Sequence, residues 1–372
     1  KEGIEVVLEM PFTGEVSKQT MEECLRYYMI EYHIDGFILN PQIAPMEAIY
    51  ADPILKKTKI MVHKIDFQTV MRRFLKGDEG MVEGVMYWLR HISEKDGSFN
   101  CITNQNGFTL NDLVSYDRKH NEANGENNQD GPEYNYSWNC GAEGPTRKKL
   151  ISQLRDSQIR NAFFLLLLAQ GTPCILAGDE FGNTQKGNNN VYCQDNPVGW
   201  TDWSRLEQKK DLHDFVKQLI AVRKNHPVFW PKKEMCGLNQ ARCGVPDVSY
   251  HGESAWRVPS EVFSRQLGVY YSGMAAGGED CFIAYNMHWI EHSFALPALP
   301  RRKKWYKIAS TKEGVLDRAE CLTNQRTVVL KERMIMVFAG REEDGEEADR
   351  SGEKNRADVV SAKVDCNYND GD

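Results

Sequence analysis

The sequence predicts an α/β fold with a parallel sheet, followed by a second, antiparallel β-domain. The first observation is that apolar runs of strand length alternate with helical stretches over the first two-thirds of the chain, as in repeated βα units. The second is that each run is continuously apolar, which is typical of parallel strands covered on both faces. The third is a change beyond Pro227, where short β-like runs follow one another between Gly, Pro and charged turns.

Five runs in the first region are predicted to be buried strands, and the stretches between them to be helices. Polar residues end each run, and function in parallel α/β folds is expected at these carboxyl ends of strands. The predicted strands are residues 3–10, 35–40, 59–66, 98–104 and 172–180, and the predicted helices are residues 17–33, 81–93, 147–170 and 209–227.

The second region is predicted to be an antiparallel β-sandwich. Its runs occupy residues 268–273, 280–289, 292–299, 304–310 and 326–340. We therefore divide the chain into a barrel-type domain at 1–228, a β-sandwich at 229–340 and a tail at 341–372. The tail contains 5 basic and 11 acidic residues, a local net charge of −6, which predicts a solvated and disordered segment.

Composition and charge argue against several classes of function. Apolar residues make up 41% of the chain and the net charge is −7, which suits a globular protein without a nucleic-acid partner. The 10 cysteines show no CxxC spacing, which favours a reducing compartment and predicts neither a disulfide framework nor a metal site. The apolar run at residues 162–171 is too short to span a bilayer, so we expect no membrane association.

Two long polar loops follow predicted strands. Residues 117–131 include four asparagines, and residues 182–203 combine amides with Tyr192, Trp200 and Trp203. Amides supply hydrogen-bond donors and acceptors while aromatic rings offer apolar faces, so together they suit a sugar. The simpler interpretation is two surface loops without a ligand, but their place after strands of an α/β sheet favours a binding face.

The two loops also resemble a known family. The strings "NGFTLNDLVSYDRKHNEANGENNQDG" and "AGDEFGNTQKGNNNVYCQDNPVGWTDW" are similar to the isoamylase and glycogen-debranching branch of the α-amylase glycoside hydrolase family. Further similarity lies at residues 215–229, 249–252, 286–289 and 296–308, so that it extends over roughly residues 1–340. The resemblance implies a (β/α)8 barrel, a C-terminal β-sandwich and hydrolysis of α-1,6 branch points in α-glucans.

The family also implies an N-terminal carbohydrate-binding sandwich and the first two strands of the barrel, and we expect both to be missing from this sequence. By this resemblance, residues 3–10 correspond to the third barrel strand. We therefore expect the chain to be part of a longer protein, or to need another segment to complete the barrel.

The nucleophile motif of the family is altered in this sequence. The motif D-G-F-R-x-D corresponds to residues 35–40, so that Ile38 replaces the Arg and Asn40 replaces the nucleophilic Asp. An amide is uncharged and its lone pair is delocalised, so Asn40 cannot form a glycosyl ester. Ile38 removes the cation that would keep a nucleophile ionised.

The other catalytic positions implied by the resemblance are changed as well. The acid/base Glu corresponds to His63, and the His-Asp pair after the seventh strand corresponds to Gln105 and Asn106. At the end of the third strand, Glu9 alone keeps an acid. Because retaining glycosidases need two carboxyl groups about 5 Å apart, we predict that no catalytic residue remains.

We predict instead a non-catalytic protein that binds α-glucan, either glycogen or starch, or that supports an active isoamylase paralogue, as the resemblance permits. No cofactor and no metal are expected, and the expected location is the cytoplasm or the plastid stroma. The predicted substrate-binding residues are Gln105, Asn106, Asn124, Asn128, Asn189, Gln194, Asp195 and Trp200.

Two alternatives stay open. The first is an active α-1,6-glucosidase with displaced carboxylates, for which Asp66, Asp179 and Glu180 near the strand ends are candidates, although such groups commonly cap helices. The second is a purely structural subunit of an isoamylase complex, in which the polar loops persist only as elements of the fold.

Overall fold

A computed structural model describes residues 3–63, 65–93, 97–239, 244–299 and 302–342, with the side chain of His63 excluded. These ranges contain both regions predicted from the sequence. The predicted disordered tail at residues 341–372 lies outside the described residues, apart from its first two positions.

Five short parallel strands form the first sheet, in the order in which they occur along the chain. They are β1 (Val7–Glu9), β2 (Gly36–Ile38), β3 (Lys59–His63), β4 (Gly97–Asn100) and β5 (Thr172–Pro173). Each pairs in parallel with the next, so the carboxyl ends of all five lie at one edge of the sheet. Glycine is needed at position 36, because a Cβ there would lie 2.7 Å from the Lys59 carbonyl oxygen.

Helices connect and cover these strands. The α1 helix begins after Ser17, whose side chain accepts a hydrogen bond of 3.1 Å from the Thr20 amide, as an N-cap does. The α6 helix is nearly all buried over its second half and lies against α3 and α8. The helices are α1 (Lys18–Tyr32), α2 (Met46–Ala51), α3 (Ile65–Lys76), α4 (Val82–Arg90), α5 (Leu110–Leu113), α6 (Lys149–Leu167), α7 (Arg205–Gln208), α8 (Lys210–Asn225) and α9 (Gly273–Ala276), with 3₁₀ turns at Leu55–Lys57, Glu122–Asn124, Asp179–Phe181 and Pro227–Phe229.

The second region is antiparallel. Six strands form one sheet in the order β11-β10-β13-β8-β7-β6, and β9 pairs with β12 in a separate two-stranded sheet. Phe294 and Leu330 of the small sheet pack against Tyr270, Phe282 and Phe338 of the large one. The strands are β6 (Val248–His251), β7 (Gln266–Tyr271), β8 (Asp280–Asn286), β9 (His292–Ala295), β10 (Lys303–Ser310), β11 (Gly314–Cys321), β12 (Thr327–Leu330) and β13 (Met334–Glu342).

One apolar core joins the two regions. Phe164 of α6 and Phe215 of α8 belong to the same cluster of buried side chains as Val269 of β7 and Ile335 of β13. The predicted boundary near residue 228 falls in the 3₁₀ turn Pro227–Phe229, where Val228 and Phe229 are fully buried. The division into two domains at this point stays a prediction, because the helices and the large sheet share their core.

The structure differs from the sequence prediction in several details. The predicted run 326–340 contains two strands, β12 and β13, because the charged turn Lys331–Arg333 separates them. The strand β11 was not predicted, because its exposed positions carry charges that interrupt an apolar run. In place of two matched sandwich sheets, a two-stranded sheet covers part of a six-stranded one.

The predicted barrel is not closed within the described residues. The parallel sheet has five strands, β1 and β5 are its edges, and the described chain between β3 and β4 is helical rather than extended. A complete (β/α)8 barrel therefore stays a prediction. Every helix in the described ranges is too short or too polar to cross a bilayer.

Candidate functional site

The carboxyl ends of β1 to β4 bring the predicted catalytic positions to one edge of the sheet. Glu9 ends β1, Asn40 lies two residues after β2, and His63 ends β3. In the loop after β4, the Gln105 side chain donates a hydrogen bond from Nε2 to Glu9 Oε2. The end of β1 and the loop after β4, a non-adjacent strand, are thus connected across this edge, which we call the strand-end surface.

Asn40 stabilises a turn at the end of the second strand. Its Oδ1 accepts a hydrogen bond of 3.0 Å from the Gln42 amide, and its carbonyl oxygen accepts bonds from the Ile43 and Ala44 amides. This is the local side-chain bonding that favours Asn in turns. The Asn40 side chain is solvent-exposed at the strand end, yet it carries no charge and no proton that could serve hydrolysis.

The remaining implied catalytic positions are His63, Gln105 and Asn106. The His63 side chain lies outside the described part of the structure, so its predicted position in the cleft stays untested. Gln105 and Asn106 are solvent-exposed, and the Asn106 amide donates a hydrogen bond of 3.0 Å to Asn104 Oδ1. Among the described side chains at these positions, that of Gln105 hydrogen-bonds to another strand end.

Asp179 is buried beneath this surface, with a side-chain and residue exposure of only 2%. Its Oδ1 accepts a bond of 2.8 Å from the Leu110 amide, and its Oδ2 accepts one from the Thr103 hydroxyl. Burial raises the pKa of the Asp179 carboxyl to about 7 despite these two donors, and the charges of Glu180 and Asp112 raise it further. A carboxyl enclosed in this way has no access to a sugar on the surface.

The other displaced carboxylates also have local structural contacts. Asp66 is exposed in the first turn of α3, where a negative charge is favourable to the helix dipole. Glu180 Oε2 accepts a hydrogen bond of 2.9 Å from the Gly178 amide. These arrangements favour structural roles for both groups.

Two thiols lie at neighbouring strand ends. The β4–β5 register pairs Asn100 with Pro173, so Cys101 and Cys174 are the next residues in line. Burial raises the pKa of the Cys101 thiol to about 12, and burial together with Glu9 raises the pKa of the Cys174 thiol. A thiol with so high a pKa is protonated at neutral pH and is a poor nucleophile.

The two polar loops predicted from the sequence are bound to each other by their amides. Asn121 Nδ2 donates to Asn189 Oδ1 at 2.8 Å, and the Asn189 amide donates back to Asn121 Oδ1 at 2.9 Å. Asn189 Nδ2 donates to the Pro132 carbonyl and to Asn135 Oδ1. Asn189 is only 1% exposed, so its side chain fixes the first loop against the second rather than presenting free donors to solvent.

Asn124 and Asn128 are likewise engaged inside the loops. Asn124 Nδ2 donates to Asp130 Oδ2 and to the Asn190 carbonyl, both at 2.7 Å. Asn128 Oδ1 accepts a bond of 2.8 Å from the Asn121 amide. A contact of these side chains with sugar stays a prediction, since the hydrogen bonds observed here are all within the protein.

The second loop exposes three aromatic rings. Tyr192, Trp200 and Trp203 all have solvent-accessible rings, with Trp200 exposed to 54%. Trp200 Nε1 donates a hydrogen bond of 2.9 Å to Asp195 Oδ1, which fixes the orientation of the indole. Gln194 is half-buried and accepts from Asn196 Nδ2 at 3.0 Å. Of the predicted substrate-binding residues in the two loops, Trp200 and Asp195 thus combine exposure with a defined geometry, as Gln105 does at the strand ends.

Sequence reasoning missed the residues that hold the loops in place. Asn121 and Asn135 are both buried, and Asn121 is the centre of the amide network. The asparagine-rich composition of both loops was a signal for such pairing, because buried amides must bond to one another or to carbonyls. In the described ranges, no group of three or more His, Cys, Asp or Glu side chains could hold a metal ion.

Comparison with known proteins finds relatives from the isoamylase and glycogen-debranching branch of the family. No family model matches the chain. The glycogen operon protein GlgX homolog of Mycobacterium tuberculosis is 33% identical over 378 residues, covering 86% of this chain and 52% of that protein. The chloroplastic isoamylase 3 of Oryza sativa subsp. japonica is 32% identical, covering 80% of this chain and 42% of that protein. The chain spans about half the length of the curated relatives it matches.

Solved structures share the fold. The pullulanase of Paenibacillus barengoltzii, in complex with maltohexaose and α-cyclodextrin, has a TM-score of 0.60 and 19% identity, over 87% of this chain and 50% of that one. The catalytic module of the glycogen-degrading pneumococcal virulence factor SpuA has a TM-score of 0.62 and 15% identity, over 89% of this chain and 55% of that one. At these identities the likeness concerns the fold alone.

Proposed function

Because the chain belongs to the isoamylase and glycogen-debranching branch of the α-amylase family, with an α-amylase-type fold and a C-terminal β-domain, we propose that it binds branched α-glucan without hydrolysing it. The observation that carries the proposal is the end of β2, where Ile38 and Asn40 stand at the positions of the family's Arg and nucleophile. There the Asn40 amide stabilises a turn. An uncharged amide cannot form the covalent intermediate of a retaining glycosidase.

The described carboxylates support the loss of hydrolysis. Glu9 is the exposed acid at the strand ends, and its Oε2 already accepts a hydrogen bond from Gln105. Asp179 is buried and bonded on both oxygens. Retention requires two carboxyl groups facing each other across the sugar at about 5 Å. Asp66, Asp179 and Glu180 each have a structural contact or position of their own, which supports a structural role for them rather than one opposite Glu9.

The two loops support binding. Hydrogen bonds between Asn121 and Asn189 restrict the second loop to fewer conformations. Ligand binding therefore loses less conformational entropy in this loop. The exposed indole of Trp200 and the carboxylate of Asp195 then offer a flat apolar face beside a hydrogen-bond acceptor. A glucose ring has C–H groups on its faces and hydroxyls at its rim, and it matches this pair.

The proposal is tested by two assays on the same purified protein. We expect incubation with amylopectin to release no linear chains above the buffer level, while glycogen retains the protein in a pull-down. Release of linear chains that disappears in Asp66→Asn or His63→Ala would instead support an active α-1,6-glucosidase with displaced groups. Failure to be retained by glycogen or by maltooligosaccharides would contradict glucan binding.

An active isoamylase paralogue is the proposed partner, since a binding subunit without chemistry requires a catalytic one. Mixing the protein with an active isoamylase should then produce a complex that elutes earlier than either component in size-exclusion chromatography. Separate elution at micromolar concentration of both proteins would remove this part of the proposal.

Trp200→Ala is expected to weaken glycogen binding by about 10-fold, because exposed aromatic rings at the centre of a contact contribute most of its affinity. Affinity electrophoresis in glycogen-containing gels measures the change. Trp289→Ala is the matched control: that ring is 59% exposed but lies in the antiparallel region, on Arg265. Equal retention of both variants would show that the second loop does not carry the glucan binding.

A further inference from the structure

A cavity lies outside the strand-end surface, between the first half of α6, the start of α8 and the beginning of the second polar loop. We call it the rim cavity. Its volume is about 610 Å³, which is within the range of small-molecule sites. Its lining residues are Asn111, Ser115, Tyr116, Gly144, Pro145, Thr146, Ser152, Arg155, Asp156, Ile159, Thr184, Lys186, Arg205 and Lys209. None of them is among the residues predicted to bind glucan.

The charged groups of the rim cavity are mostly cationic. Four basic side chains and one carboxylate line it, which leaves a net charge of +3 in a protein whose overall net charge is −7. Arg155 is buried and bonded to backbone carbonyls, and Lys209 pairs with Asp156 at 3.1 Å. Lys186 and Arg205 form no ion pair within the described ranges. Two cations are therefore available to an anionic ligand.

Arg205 carries an unsatisfied donor. Its Nε is buried and has no hydrogen-bond partner in the described part of the chain. A buried guanidinium donor without an acceptor is costly, whereas a phosphate or carboxylate oxygen would satisfy it with a charge-assisted bond. Asp202 lies near enough to Arg205 to feel its charge, but its carboxylate accepts hydrogen bonds from the hydroxyl and amide of Ser204.

The amino-terminal end of α6 adds to the positive potential. This 19-residue helix begins after Lys148, which makes no side-chain cap. Thr146 and Ser152, on either side of the first turn, line the rim cavity. The free amides of a first turn carry partial positive charge and favour anions.

The neutral part of the lining is hydroxylated. Ser115, Tyr116, Thr146 and Ser152 offer hydroxyls and Asn111 offers an amide, whereas the Thr184 hydroxyl is bonded to Asp112. Cations on one side and hydrogen-bonding groups around them suit a ligand with an anionic head and a hydroxylated body. We infer that the rim cavity binds the phosphate monoester of a hexose, held by Lys186 and Arg205. The hexose phosphate is either free or part of a phosphate-bearing glucan chain.

Isothermal titration calorimetry on the whole protein tests this site without reference to the strand-end surface. The probes are glucose 6-phosphate, glucose, inorganic phosphate and a maltooligosaccharide phosphorylated at one 6-hydroxyl. We expect glucose 6-phosphate to bind, glucose to give no saturable heat, and inorganic phosphate to bind about 10-fold more weakly or worse. The phosphorylated oligosaccharide binds more tightly than glucose 6-phosphate if the source is a glucan, and no more tightly if it is the free sugar.

The variant Lys186→Gln/Arg205→Gln should weaken binding of glucose 6-phosphate by at least about 10-fold, since each change removes a charge-assisted donor. Lys210→Gln is the matched control, because Lys210 adjoins Lys209 but pairs with Asp214 at 2.6 Å outside the cavity. Thermal melts by circular dichroism verify that the variants fold. Absence of glucose 6-phosphate binding, equal affinity for inorganic phosphate, or equal affinity in the double variant would overturn the inference. Retention of the same protein preparation by glycogen would show that glucan binding is intact even where glucose 6-phosphate does not bind.

Discussion

Replacing Arg155 with Met is expected to lower the free energy of unfolding by about 4 kcal/mol, because a buried guanidinium that ties several carbonyls together is lost. Arg155 Nη1 donates to the Gly144 carbonyl at 2.8 Å, and Nη2 donates to the Asn139 carbonyl at 3.0 Å and to that of Ala142. A longer bond of 3.4 Å reaches the Ser115 carbonyl. Methionine fills much of the same volume, so the expected loss comes from carbonyls left without donors.

Urea unfolding measures the change, and Arg160→Met is the matched control on the same helix. Arg160 makes long hydrogen bonds of 3.4 and 3.5 Å to the Thr311 and Lys312 carbonyls, an exposed ion pair of 3.4 Å with Asp211 and a stacking contact on Phe215. Its replacement should cost about 1 kcal/mol. If the two variants were equally stable, the segment from Ser115 to Gly144 would not depend on Arg155 for its position.

Much of the parallel region could be predicted because its signal is local. The run at residues 59–66 is apolar and ends in polar residues, and it contains β3 at Lys59–His63. Strand lengths could not be predicted, because pairing decides them. The run at residues 172–180 was predicted as a full strand, yet only Thr172–Pro173 pairs with β4. Beyond Pro173, no described strand lies alongside to continue the ladder.

The polar loops show where composition is informative and where it is not. Four asparagines in residues 117–131 predicted a polar surface for hydroxylated ligands. In the structure Asn121, Asn124 and Asn128 bond within the loops, and Asn189 completes the network from the second loop. The sequence contains no sign of which amide is bonded to which, because the contacts between the two loops join residues more than 60 positions apart. Exposure separates the candidates instead, and it favours Trp200 and Asp195.

The substituted catalytic positions could be found only through the resemblance to a family. Nothing in the pattern of residues 35–40 by itself relates Asn40 to the nucleophile position of the family. The structure adds that the Asn40 amide has a use of its own, since it bonds to the Gln42 amide and begins the turn that leads into α2. A side chain employed in a turn is consistent with a strand end that has been freed from catalysis.

Asp179→Asn is expected to remove a large pH dependence of stability. The unfolded carboxyl releases its proton near pH 3.8, whereas burial raises the pKa of the folded one to about 7. Between these values the folded state binds more protons, so the free energy of unfolding falls as pH rises from about 4 to about 7. This difference between the folded and unfolded pKa values corresponds to a change of about 4 kcal/mol in the free energy of unfolding, at about 1.4 kcal/mol per pKa unit. Asparagine cannot ionise, so the variant lacks this fall.

The geometry makes asparagine a close substitute for the protonated acid. Its Oδ1 can accept from the Leu110 amide as Asp179 Oδ1 does, and its Nδ2 can donate to the Thr103 oxygen. Urea unfolding between about pH 4 and pH 8 should therefore show the variant gaining on the wild type as pH rises. Asp130→Asn is the control, because hydrogen bonds from Asn124 hold the pKa of Asp130 below its usual value, so its profile should run parallel to that of the wild type between about pH 4 and pH 8. That carboxylate contributes stability above pH 4 that is lost as pH falls. Parallel profiles for Asp179→Asn and wild type would mean that Asp179 ionises without penalty, and hence that water reaches it in the folded protein.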